Sequence, residues 1–188
     1  MTNQPTPKHL AEAGLSLIEQ HGWSAFSIVS LYQECGLDPT ALSNPLTTKN
    51  DWLTCLQSHI ITETKAFLPQ QDLMDLSIKD RLLELTLTQF EILLPHRSAL
   101  KPLMHGLVKE AQNYCTFQSM LRHGWEDLFS YADIPNTNII SRLRTEAFMG
   151  LYLVTLYRWL NGGLSADKLQ STLDQQLTWG NKLMANYR

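Results

Sequence analysis

The first 65 residues contain no arginine and only three lysines, Lys8, Lys49 and Lys65, against six carboxylates, Glu12, Glu19, Glu34, Asp38, Asp51 and Glu63. A strongly basic face, the usual source of non-specific affinity for nucleic acid, is thereby excluded from this segment. The chain's whole formal net charge of −3 sits in it, and the remainder is balanced. Cysteine is also scarce: Cys35, Cys55 and Cys115 are widely spaced, form no C-x-x-C and have no paired histidines beside them. That excludes a disulfide framework and a zinc site, and fits reduced thiols in the cytoplasm. The longest apolar run, residues 147–160, is broken by Thr155 and Arg158 and falls short of the ~20 residues a bilayer requires, so no membrane insertion is expected. Residues 1–8 show no basic-then-apolar leader. No H-E-x-x-H, G-x-S-x-G, phosphate-loop or dinucleotide pattern occurs, and His59, His96, His105 and His123 are scattered. No catalytic residue, metal ligand or cofactor is expected.

What the chain does have is apolar residues at helical spacing. With 188 residues, 44% of them apolar, it can bury roughly 70% of its unfolded surface, enough for a core without covalent staples. Leu10, Ala13, Gly14, Leu17 and Ile18 form one stripe, with Thr6 as cap and Pro7 as first helical residue. Trp52, Leu53, Leu56, His59, Ile60 and Thr64 form another, on a helix predicted from Thr48 to about Phe67. No strand-like alternation of useful length and no internal repeat is present.

The most informative stretch is residues 31–53, L-Y-Q-E-C-G-L-D-P-T-A-L-S-N-P-L-T-T-K-N-D-W-L. Gly36 ends a helix begun at Ser27, because glycine enters the left-handed cap without steric cost. Asp38 and Pro39 restart one, the first as an acceptor for orphan amides and the second with no N–H to leave unpaired. Pro45 pushes Asn44 out of the helical region, so the restarted helix is expected to run about two turns. Thr48, with Asp51 three residues on, then opens a further helix with something close to a capping box. Helix, glycine turn and short second helix are the parts of a helix-turn-helix, whose second helix enters the DNA major groove.

With the apolar first helix, the His21-Gly22-Trp23 turn and Lys49 opening a fourth helix, residues 9–60 resemble the N-terminal domain of TetR-type transcriptional regulators. Where that family usually shows a small residue or lysine, then Tyr, a basic or polar residue, His and Phe, this chain has Pro39, Ser43, Asn44, Pro45 and Leu46. The frame is kept and the reading head is altered. The resemblance implies a homodimer on operator DNA. Thr40, Ser43, Thr48 and Lys49 are then the candidate phosphate contacts, and Asn44 the candidate reader of adenine.

The C-terminal part is predicted as a second set of helices, beginning at Ser77 and including residues 112–131, 138–160 and a final helix from Ser165. The resemblance implies a small apolar or amphipathic effector between them, near Phe90, Met104, Trp125, Phe129, Phe148 and Tyr152. Past Ala147 the helix of residues 138–160 is apolar nearly all round and must be covered on every side. A four-helix bundle with a second copy is expected to cover it, through Leu156, Trp159, Leu169, Leu173, Leu177 and Met184. Leu94-Pro95-His96-Arg97, Trp125, and the pattern from Tyr152 through Tyr157-Arg158-Trp159-Leu160-Asn161 to Thr172-Leu173-Asp174 are also similar to lipid-binding ubiquinone-biosynthesis proteins. Those share the TetR fold without acting on DNA.

The expectation is therefore an all-α, TetR-like cytoplasmic protein. Residues 1–47 form a helix-turn-helix head, and residues 48–188 form an effector-binding and dimerisation body. The alternative is a TetR-fold lipid-binding or scaffold protein that does not bind DNA.

Overall fold

A computed structural model describes residues 6–41, 44–135 and 139–185. Among these there is no strand, and the chain runs α1 Pro7–His21, α2 Ile28–Glu34, α3 Lys49–Phe67, α4 Gln70–Met74, α5 Ile78–Leu93, α6 Arg97–Lys109, α7 Ala111–Tyr131, α8 Ile139–Leu160 and α9 Ala166–Ala185. The all-α expectation holds. Helix starts follow the capping chemistry: Thr6 Oγ1 accepts from the His9 amide at 3.3 Å, and Ser27 and Ser30 cap α2 reciprocally. At the start of α3, Thr48 Oγ1 accepts from the Asp51 amide at 3.1 Å while Asp51 Oδ2 accepts from the Thr48 amide at 2.8 Å, the capping box expected there. The short α4 was not anticipated; Pro69 closes α3, as expected, but also serves as the N-cap residue of a new turn.

The described chain forms two compact units. One joins the residues up to Thr62 with Pro95–Gly124, and the other joins Glu63–Leu94 with the residues from Trp125 onward. The boundary expected at residue 47 thus lies inside the first unit. The reason is that α6, far off in sequence, packs along α1 and completes the core of the head.

That core is aromatic. Trp23, Phe26 and Trp52 are each at most 2% exposed, with ring centroids 5.7 Å apart for Trp23 and Phe26 and 4.8 Å for Phe26 and Trp52. The Trp52 indole donates to the Leu10 carbonyl at 2.9 Å and occupies the space beside Gly14, where an added Cβ would sit 2.2 Å from Trp52 Nε1. On the other side of the cluster, a Cβ on Gly106 of α6 would sit 2.3 Å from Trp23 Cδ1.

In the second unit α9 packs against α5 and α8, and Lys79 of α5 meets Asp174 of α9 at 2.7 Å. Arg81 gathers carbonyls at two helix ends, donating to Met74 at 2.9 Å, Leu76 at 3.0 Å and Ala132 at 2.8 Å. Charged donors on orphan C-terminal carbonyls satisfy groups that a helix end leaves open.

Gly14→Ala tests the closeness of this packing. Alanine is the better helix former by about 1 kcal/mol, yet the variant is expected to be less stable by about 1–3 kcal/mol, the cost of overpacking a tight core. Urea unfolding of both proteins measures it, and a gain in stability would show that Trp52 does not hold the position described.

Candidate functional site

The helix-turn-helix frame is present, with a shortened second element. After α2 the chain turns at Gly36, which has φ +61°, and the Leu37 amide donates back to the Tyr32 carbonyl at 2.9 Å. The expected two-turn helix is not found among the described residues: Pro39–Ala41 is a single 3₁₀ turn, and Asn44 is already a bend. Asp38 Oδ1 takes both the amide of Thr40, at 2.9 Å, and its hydroxyl, at 2.8 Å, forming a tight local turn. Downstream, the Tyr32 hydroxyl clamps Leu46, donating to its carbonyl at 3.1 Å and accepting from its amide. The segment between α2 and α3 is therefore pinned at both ends.

The candidate DNA contacts fare unequally. Ser43 lies outside the described residues. Thr40 is exposed, but its hydroxyl proton points at Asp38 and cannot also donate to a phosphate oxygen. The same bonds, from the Thr40 amide and hydroxyl, hold the Asp38 carboxyl below its ordinary range, so a negative charge stands beside it. Thr48 accepts from the Asp51 amide as a cap, and its hydroxyl also bonds the Asp51 carboxylate, so its proton too is engaged within the chain. Asn44 is exposed. Lys49 is turned inward: its Nζ donates to the Trp23 carbonyl at 2.9 Å and lies 4.6 Å from the centroid of the Trp23 ring. Trp23 Nε1 in turn donates to Glu110 Oε2 at 3.1 Å. The Glu110 carboxyl is held below its usual range by the Asn113 amide first, then by the Trp23 indole and the charge of Lys49. Neither Gly106 nor Glu110 was singled out in the sequence, because their partners lie in an element distant in the chain.

Asp51 accepts from Thr47 and Thr48, and the Thr47 amide, then the Thr47 hydroxyl, are the main causes of its lowered carboxyl pKa. A depressed folded-state pKa gives stability that is present above the unfolded value, about 3.9 for aspartate, and lost as pH falls through the folded value. The stability difference between wild type and Asp51→Asn is accordingly expected to be constant from neutral pH down to about 5 and to shrink below about 4. Thermal melts across that range check it, and a pH-independent difference would remove the carboxylate from the account.

In the second unit, five of the six candidate ligand residues come together. Trp125 is at the centre, with ring centroids 5.8 Å from Phe129, 4.7 Å from Phe148 and 5.1 Å from Tyr152, and Tyr152 continues to Phe90 at 5.9 Å. Met104 is buried in α6, which belongs to the first unit. Burial pushes the Tyr152 phenol well above its ordinary pKa, so it stays a neutral hydroxyl.

The residues expected at the dimer interface occupy other places. Leu156, Trp159, Leu169, Leu173 and Leu177 are all buried within the protomer, Leu173 completely, and the side chain of Met184 lies outside the described residues. Periodicity shows that a face is apolar, not which neighbour covers it. Exposed instead on α8 are Leu143, Ala147, Gly150, Val154 and Tyr157, spaced alternately by four and three. Leu143, Val154 and Tyr157 are 61%, 55% and 53% exposed. Trp179 of α9 is also exposed, three residues beyond Gln176, whose carboxamide accepts from Thr155 of α8 at 3.2 Å.

Among the described residues no group of three or more His, Cys, Asp or Glu gathers where a metal could be held, and no helix is long and apolar enough to cross a membrane. The arrangement is thus an all-helical protein with a helix-turn-helix head and a buried aromatic cluster. No family model and no curated protein sequence matches the chain. Among solved structures it is similar to a TetR transcriptional regulator from Rhodococcus sp. RHA1, with a TM-score of 0.65 at 12% identity over 91% of this chain and 92% of that one. It is also similar to a Rhodococcus sp. protein assigned to the TetR-family transcriptional regulators, with a TM-score of 0.57 at 16% identity over 92% and 96%. The fold is that of the TetR-type regulators.

Proposed function

We propose that this chain is a TetR-like transcriptional regulator that binds DNA as a homodimer and responds to a small apolar or amphipathic effector. The observation that carries this reading is the shared fold across nine-tenths of both chains, together with a turn between α2 and α3 that keeps the helix-turn-helix order. Asn44, which is exposed, is the proposed base reader. Effector binding at the aromatic cluster changes DNA affinity only if the two conformations bind the effector differently.

A second reading, a TetR-fold lipid-binding protein without DNA, is favoured by one observation. Lys49 and Lys65, two of the three lysines in the first 65 residues, are committed within the chain, Lys49 to Trp23 and Lys65 to Asp127 at 2.8 Å. Titration of its own upstream DNA at several salt concentrations separates the two. Each phosphate neutralised contributes roughly 0.9 to the slope of log affinity against log salt, so a dimer with Lys49 turned inward is expected to show a slope of about two or less in magnitude. Asn44→Ala is expected to erase sequence preference. A slope above about six would show a basic surface the head does not have. No binding at low salt selects the lipid-binding reading.

The partner surface is assigned to the exposed stripe of α8. Alternate spacing by four and three is the seam of a left-handed helix pair, and Ala147 and Gly150 at its middle let two backbones approach. Leu143→Glu combined with Val154→Glu is expected to give a helical, soluble monomer. Leu173→Glu, which buries a charge in the protomer's own core, should instead unfold the chain. Sedimentation and circular dichroism distinguish these outcomes. A wild-type monomer at micromolar concentration, or a double variant that remains a dimer, rejects the stripe.

A further inference from the structure

Within the second unit, two buried hydrogen-bond donors have no acceptor: Trp125 Nε1 and Gln89 Nε2. Both residues are sealed from solvent, Trp125 at 0% and Gln89 at 2% exposure. Their neighbours in that unit show how unusual this is. The buried hydroxyls of Thr86, Thr145 and Thr155 donate to the Leu82 carbonyl, the Ser141 carbonyl and the Gln176 carboxamide. Folded proteins leave few buried donors unpaired, because each forfeits its hydration without compensation. Around Trp125 the rings of Phe129 and Phe148 offer only π faces, which are weak acceptors, and the hydroxyl of Tyr152 does not take the Trp125 N–H.

The aromatic cluster draws on the helices that carry both donors, α7 and α5. Tyr152 packs on Trp125 and on Phe90, the chain neighbour of Gln89. Among the described residues, the unit's buried polar side chains other than its aromatic ones are Thr64, Thr86, Thr88, Gln89, Ser141, Thr145 and Thr155, with no charged residue among them. A carboxylate or phosphate brought in here would lose its hydration and find no opposite charge, which is costly in an apolar interior.

We infer that the effector is an uncharged, largely apolar molecule carrying an acceptor oxygen of the ketone, ester or ether class, which takes hydrogen bonds from Trp125 and Gln89. The inference rests on the effector-binding reading above and adds the chemistry of the ligand. Hydrocarbon bulk fits among the rings, and the oxygen supplies what the two donors lack. Anionic amphiphiles are disfavoured because no cation is buried among the described residues of the unit.

Three probes of one shape test it on the full chain: 2-acetonaphthone, which carries a neutral carbonyl; 2-ethylnaphthalene, which has no acceptor; and 2-naphthoate, an anion at neutral pH. Calorimetry gives affinities, and the indole N–H resonance of Trp125, assigned by its loss in Trp125→Phe, reports the hydrogen bond. The ketone is expected to bind about tenfold more tightly than the hydrocarbon, the equivalent of one net hydrogen bond, with a downfield shift of that resonance, and the anion should bind most weakly. Gln89→Leu and Trp125→Phe should each narrow the gap between ketone and hydrocarbon, and Gln89→Leu, which nearly conserves volume, should do so without loss of stability in the free protein, since it removes an unpaired donor. Equal binding of ketone and hydrocarbon with an unmoved resonance overturns the inference and leaves effector binding standing, as does tightest binding of the anion. Binding of none of the three rejects the effector site itself and the inference with it. A less stable free Gln89→Leu protein shows that its donor is already satisfied, and likewise overturns it.

Discussion

The indole of Trp23 fills the space that a side chain at position 106 would need, and much of the first unit follows from that contact. Trp23 comes from the turn after α1, and its ring stacks toward Phe26 and leans on Trp52 of α3 at 6.3 Å. Its N–H reaches Glu110 across 87 residues of sequence, and its carbonyl holds the ammonium of Lys49. An aromatic residue with one polar handle suits such a position, because it buries a large area while its N–H still finds an acceptor. Head and α6 are thereby built as one core, although α6 lies far outside the helix-turn-helix sequence.

This contact bears directly on how the head could meet DNA. Lys49 opens α3, where a cation would reach a phosphate, but its charge is spent on the Trp23 ring, the Trp23 carbonyl and the neighbourhood of Glu110. Cation–π attraction and a charge-assisted hydrogen bond are each worth on the order of 1 kcal/mol or more in partly buried sites. Drawing Lys49 outward forfeits both. Affinity for DNA must then come from hydroxyls, backbone amides and Asn44, and from doubling those weak contacts in a dimer. A head of this kind positions itself poorly on arbitrary sequence, so whatever binding it has depends more on the bases than on the phosphates.

Local chemistry was readable in the sequence. Thr6, Ser27, Thr48 with Asp51, Gly36 and Ser77 mark helix ends by side chains or backbone freedom that act within four residues, and each works as expected. Trp125, Phe129, Phe148 and Tyr152 could be named together only through the family resemblance, since helical spacing alone does not separate residues around a ligand from residues that fill a core. What could not be read is whatever depends on a distant partner. Lys49 looks like a phosphate contact until Trp23 is placed beside it, and Leu156, Trp159 and Leu173 look like an interface until α5 and α9 cover them. The short second element, a 3₁₀ turn in its described residues, has a different origin: Asp38 reads as a helix cap in the sequence, and its local bonds to Thr40 favour a tight turn instead.

The arrangement of α8 ties the two proposed binding events to one element. Phe148 and Tyr152 project from it into the aromatic cluster, while Leu143, Ala147, Gly150, Val154 and Tyr157 lie on its exposed face. A helix is rigid across its width, and cores this closely packed do not absorb displacement continuously. On the proposed reading, a molecule that entered beside Trp125 would displace rings on one side of α8 and bear on the seam on the other. Linkage then runs both ways: if the effector alters the dimer seam, the state of the seam alters effector affinity by the same factor. The coupling requires no path through the head. It requires only that one helix serve two faces, and that the face left bare in the protomer be the one whose small residues make its partner's position sensitive to small movements.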